Sequence, residues 1–114
     1  VFEIVSLLKE SKLFSDIEVL ELIDEELVKV IKIKAKVSDG TILFIHEIYR
    51  INSHKYSYHW QEENEKIIIR WDNSPHWKNL NTFPYHKHIE DNVLPCTKMT
   101  ISDVIDEIKK GLKK

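Results

Sequence analysis

The stretch VKVIKIKAKVSDGTILFIHEIYRI, residues 28–51, decides the fold. Lys32, Lys34 and Lys36 recur at every second position, with Ile31, Ile33, Ala35 and Val37 around them. Side chains alternate across a strand, so this spacing puts lysines on one face and apolar groups on the other. Asp39-Gly40 then interrupts the pattern with a residue pair suited to the positive-φ positions of a tight hairpin. Thr41–Tyr49 reads as the return strand. With Asp39-Gly40 as a two-residue loop, Val37 faces Ile42, Ile33 faces His46, and Lys32 faces Glu47 as a cross-strand charge pair. His46 is then expected on the apolar face, as a hydrogen-bonded core histidine.

The alternation continues on both sides. Upstream, IEVLELI (17–23) reads as a strand and DEE (24–26) as a break. Downstream, KYSYHW (55–60) and KIIIRWD (66–72) form a second hairpin around QEENE (61–65). Tyr56, Tyr58 and Trp60 go inward, leaving His59, Arg70 and Asp72 on the other face; His54 falls in the preceding turn as a surface residue. NSPHWKNLNT (73–82) has no period and reads as a loop. FPYHKHIE (83–90) is expected as an extended edge segment, since Pro84 has no N–H for a central ladder.

Both ends read as helices. FEIVSLLKES (2–11) sets Phe2, Val5 and Leu8 at helical spacing. TISDVIDEIKKGLKK (100–114) opens with a Thr100–Asp103 capping box, buries Ile101, Val104, Ile105, Ile108 and Leu112, and carries lysines in its last turn. The expected architecture is one α+β domain over residues 1–114. A mostly antiparallel sheet of about five or six strands would carry both terminal helices on one face, leaving the other partly open.

Composition sets further bounds. No apolar run approaches the ~18 residues of a membrane span, and the start does not read as a signal peptide. The chain opens on Val1 rather than Met, so native residues before it are expected. One cysteine, Cys96, excludes an internal disulfide and a cysteine-only zinc site, and a reducing cytoplasm is the expected setting. Two glycines leave no phosphate-cradling loop. The net charge of −2 is uneven: residues 1–28 hold eight acids against two lysines, and residues 29–60 hold six basic residues against two acids. Lys32, Lys34, Lys36 and Arg50 are therefore expected to form a positive surface, with the acidic segment elsewhere.

The chemistry gathers around TFPYHKHIE, residues 82–90. In an extended segment His86 and His88 point to one side. RWDNSPH (70–76) brings Arg70, Asp72 and His76 to a neighbouring strand end and loop, where site residues concentrate. The expected catalytic set is His86, His88, His76 and Asp72, with Arg70, Lys87, His59 and Arg50 binding substrate. Trp60, Trp71 and Trp77 read as packing rather than base-stacking platforms.

SDGTILFIHEIY, YSYHWQ, IRWDNSPHW and TFPYHKH, in this order, resemble the TumE family of prokaryotic toxin–antitoxin toxins. The resemblance spans roughly residues 27–108, and its sharpest parts are Asp-Asn-x-Pro-His and Phe-Pro-x-His-Lys-His. It implies a toxin silenced by a cognate antitoxin protein. Where the family often has a second histidine after Pro-His, this chain has Trp77.

Three activities fit these residues. A metal-independent endoribonuclease needs only a base, an acid and a cation near the phosphate, because RNA supplies its own 2′-OH nucleophile. Histidines suit the proton transfers, and Arg70 and Lys87 would hold the phosphate. This is the preferred expectation, with RNA as substrate, no cofactor and no membrane partner; self-association into a homodimer stays open. The alternatives are a metal-dependent nuclease or hydrolase with zinc or manganese on His86, His88 and Asp72 or His76, and a non-catalytic binding domain.

Overall fold

A computed structural model describes residues 2–112, and Phe2 only in its backbone. Helix α1 (Phe2–Ser11) leads into seven strands, β1 (Phe14–Asp24), β2 (Val28–Val37), β3 (Ile42–Arg50), β4 (Ser53–Gln61), β5 (Ile67–Asp72), β6 (His86–Ile89) and β7 (Asn92–Pro95), and helix α2 (Ile101–Leu112) closes the chain. The strands form one sheet in sequence order, each antiparallel to the next. The α+β class with terminal helices stands, but the sheet has seven strands rather than five or six.

The additional strand comes from Asn92–Pro95, which returns along β6 through a tight turn with Glu90 at φ 55°. A positive φ there usually calls for Gly or Asn, so Glu90-Asp91 carries little turn signal. Pro84 lies outside the sheet, and β6 starts at His86 as an interior strand, with β7 at the edge.

The register of the central hairpin differs by one residue from the expectation. Lys36 pairs with Ile42, Ile33 with Ile45, Lys32 with His46 and Ile31 with Glu47. The cause is the turn. Val37 N–H donates to Thr41 O at 2.8 Å, so Ser38, Asp39 and Gly40 all lie in the loop, with Gly40 at φ 93°. A three-residue loop ending in a left-handed residue is the next most common hairpin connection, and it adds one residue to the count. A one-residue slip exchanges faces. Glu47 therefore enters the core, and His46 joins the open face.

Ile31, Ile33, Ala35, Val37, Leu43, Ile45, Tyr56, Tyr58, Trp60 and Trp71 line the inner face. They form one core with Ile4 and Leu8 of α1 and Ile101, Val104, Ile105 and Ile108 of α2. Both helices thus cover the same face, as their apolar stripes require. The capping box is made: Thr100 N–H donates to Asp103 Oδ2 at 2.8 Å, and Asp103 N–H to Thr100 Oγ1 at 3.3 Å. Lys109 and Lys110 occupy the last turn, while Lys113 and Lys114 lie outside the described residues. No helix among the described residues is long and apolar enough to cross a membrane.

Candidate functional site

The outer face is mixed, with Ile42, Phe44 and Ile48 of β3 among its polar groups, and β5 and β6 build its polar cluster. Antiparallel pairing sets Asp72 against His86 and Arg70 against His88, all four on the uncovered side. On the other flank, β4 brings His59 beside Arg70 and Ser57 beside Asp72. Asp72 is the hub. Its Oδ2 accepts a hydrogen bond from Arg70 Nε–H at 3.0 Å and lies 3.5 Å from His88 Nε2. Its Oδ1 accepts from the Ser74 backbone N–H at 3.0 Å, an Asx-type turn that anchors the following loop.

His86 is the most buried of these groups, at 2% exposure, with Asp72 at 3%. Its Nδ1 lies 3.0 Å from the Pro84 carbonyl and donates to it. Its Nε2 is 2.8 Å from Asp72 Oδ1, yet the ring is turned so that the contact is not a hydrogen bond, and this buried nitrogen has no hydrogen-bond partner. His88 stacks edge-on to His86, ring centres 4.9 Å apart, and Trp77 meets both rings edge-on. Burial holds His88 below its ordinary pKa, opposed by Asp72 and reinforced by His86 and Arg70. Burial and then Arg70 lower His59 in the same direction.

A hollow of about 460 Å³ opens over this cluster, lined by Arg70, Asp72, Ser74, His76, Trp77, His86 and His88 among others. A neighbouring hollow of about 370 Å³ shares Arg70, Ser74 and His76 and extends to His46, Lys55 and Ser57. Together they make a groove across the outer face, with exposed His76 on its rim.

Of the expected residues, Arg70, Asp72, His86 and His88 meet directly, His59 adjoins Arg70, and His76 stands over the groove. Lys87 does not join them. It pairs with Trp71 and so points to the helix-covered side, as alternation demands of a residue between two outward histidines. Arg50 sits exposed at the end of β3, four residues along the strand from His46. His46 and Lys55 enter the groove unforeseen; the correct hairpin register finds the first, and alternation with Ser57 and His59 finds the second.

Two further expectations are corrected. His54 belongs to β4, not to a turn, and its Nε2 lies 3.1 Å from Glu47 Oε1 on the inner face. The lysine stripe is not an isolated positive patch, because β1 lays its acids beside it. Lys34 pairs with Glu18 and Lys36 with Asp16, and Lys32 Nζ is 3.5 Å from Glu21 Oε2, not paired with Glu47. Opposite charges on adjoining strands attract and cancel the local field. Burial pushes the Cys96 thiol up, away from the thiolate that a nucleophile requires.

The model of the family described as Toxin TumE matches residues 4–112. The chain belongs to the TumE toxin family. The match takes in all seven strands, the whole Asp72 cluster and α2, so the groove is built within the family's own domain. No curated protein and no solved structure gives a match. The helices pack on one sheet face, where a hollow of about 370 Å³ remains beside Ile4, Ile31 and Tyr49, and the other face carries the groove.

Proposed function

We propose that this toxin is an endoribonuclease that cleaves RNA in the outer-face groove without a metal, and that a cognate antitoxin silences it. One observation carries the reading: a buried carboxylate, Asp72, binds an arginine and orients a half-exposed histidine at the floor of a groove whose rim holds a second histidine. RNA cleavage by its own 2′-OH asks for a base, an acid and a fixed cation, and little else.

The roles follow from exposure. His88, half-buried and lowered in pKa, is suited to enter neutral and take the 2′-OH proton on Nε2. The 2′ oxygen then attacks phosphorus, the bond from phosphorus to the 5′ oxygen breaks, and that oxygen takes a proton from His76. Arg70 has 41% of its side chain exposed, so it can hold Asp72 and still present N–H groups to a phosphate. His86 is too buried to touch substrate and packs beneath the groove against Asp72. Lys55 extends the phosphate contacts along the groove, and His59 supports Arg70 from the neighbouring strand.

The test is cleavage of a defined RNA by the purified toxin in EDTA. Products should carry 2′,3′-cyclic phosphate and 5′-hydroxyl ends. His88→Ala should lose roughly 10²–10⁴ in rate, the usual worth of a proton-transfer group. Wild-type cleavage by a folded His76→Ala/His88→Ala double variant would overturn the assignment.

A further inference from the structure

Asp72, His86 and His88 have a feature that proton transfer alone does not explain. His86 Nδ1–H is committed to the Pro84 carbonyl, which turns Nε2 inward as the ring's free atom. That atom is buried, without a hydrogen-bond partner, and 2.8 Å from a carboxylate oxygen. In the neutral ring two lone pairs would face each other at that distance, an arrangement that a cation shared between them relieves. His88 Nε2 approaches the other oxygen of the same carboxylate at 3.5 Å. One ligand atom from each of the three residues lies within 4.8 Å of the others.

We propose that Asp72, His86 and His88 bind one divalent transition-metal ion of the zinc class. Imidazole nitrogen and carboxylate oxygen are the donors such ions take, at ~2.0–2.2 Å. Tetrahedral ligands at that distance stand ~3.3–3.5 Å apart. His86 Nε2 lies 2.8 Å from Oδ1 and His88 Nε2 3.5 Å from Oδ2. Side-chain rotation therefore has to bring both nitrogens and one oxygen around a common centre, from atoms already within 4.8 Å of one another. The Pro84 carbonyl on Nδ1–H is the outer partner that metal-binding histidines regularly have, and it fixes the tautomer whose Nε2 can coordinate. Ser74 N–H donates to Oδ1 at 3.0 Å and helps to fix the carboxylate. The groove leaves the fourth position to water, and Arg70, with much of its side chain exposed, can yield its place on Oδ2 to the incoming cation.

Metal binding is independent of the nuclease reading; its consequence rests on it. An ion bound here takes both the Nε2 of His88 and the carboxylate that orients it. Occupancy would then switch off metal-free cleavage, so zinc acts as an inhibitor of this toxin.

The test uses the whole chain, stripped with EDTA and dialysed. Co(II) should bind with a stoichiometry of one and give the intense visible absorption of a four-coordinate ion, and Zn(II) should displace it. His88→Ala and Asp72→Asn should weaken binding by roughly 100-fold or more, while His54→Ala on the opposite face should bind as wild type. No binding by the stripped protein, or undiminished binding by a folded His88→Ala variant, overturns the site. With RNA, one equivalent of zinc should suppress cleavage. Cleavage that instead requires zinc upholds the site and overturns the metal-free reading of the nuclease.

Discussion

Glu47 and Asp72 are buried carboxylates on opposite faces of one sheet, and a histidine lies close to each. Their surroundings differ in kind. Glu47 Oε1 accepts from Tyr58 OH at 2.8 Å, from Tyr49 OH at 3.0 Å and lies 3.1 Å from His54 Nε2, with the His54 and Tyr49 rings stacked at 4.1 Å. Tyr49 is pushed up to about 12, by burial first and Glu47 next, and Tyr58 is raised further by the same causes. Its partners are thus two hydroxyls and a ring, with Tyr58 in the core, His54 half-buried and Tyr49 at the surface. Asp72 instead meets a half-exposed cation, a backbone N–H, a histidine without a hydrogen-bond partner on Nε2 and a second histidine open to the groove. A satisfied network specifies structure; an incompletely satisfied one facing a cavity is where ligand chemistry is expected.

The largest effect should separate the two in function. Asp72→Asn keeps the shape but removes the charge that orients His88 and binds Arg70, so RNA cleavage should fall by roughly 10²–10⁴. Glu47→Gln should leave the cleavage rate per folded molecule unchanged. Rate assays on both variants, normalised by circular dichroism, decide the matter. A Glu47→Gln loss comparable to that of Asp72→Asn would erase the distinction.

How far this contrast could be foreseen depends on the residue. The Lys32–Lys34–Lys36 alternation, the Thr100–Asp103 cap and the shared face of Arg70, Asp72, His86 and His88 all follow from local spacing, and the structure has them so. Lys87 on the opposite face was equally legible, since a residue between two outward ones must point inward. The Glu47 network was not, because it depends on whether the loop holds two residues or three, and Ser38-Asp39-Gly40 suits either count. Strand β7 was hidden by a turn without glycine. The acids of β1 beside the lysines depend on strand order, which spacing along one strand does not reveal.

Stability should show the opposite ranking. Glu47→Ala leaves the Tyr58 hydroxyl buried without its acceptor and strips Tyr49 and His54 of a partner, a change that costs about 1–3 kcal/mol. Tyr58→Phe removes one donor and should cost about 0.5–1.5 kcal/mol. Urea unfolding of the single variants and of Glu47→Ala/Tyr58→Phe measures the coupling. Strictly additive losses would mean that the hydroxyl and carboxylate do not act together, and the closed network would lose its role.

The smallest effects test the outer face along its length. At one end Lys34 and Lys36 lie beside Glu18 and Asp16; at the other Arg70 shares a single carboxylate and opens into the groove. A lysine already neutralised by a neighbour displaces few counterions when RNA arrives, whereas a cation that reaches a phosphate contributes a log–log salt slope of roughly 0.7 on a single strand. Lys34→Gln should therefore leave both affinity and salt slope close to wild type. Arg70→Gln should flatten the slope by about 0.7, the share of one phosphate. Glu18→Gln, which frees Lys34, should raise affinity slightly at low salt and not at high salt, since exposed charges are screened over ~10 Å at 0.1 M. Binding that weakens equally in Lys34→Gln and Arg70→Gln would mean that RNA covers the lysine end too, and the groove would be only part of a wider interface.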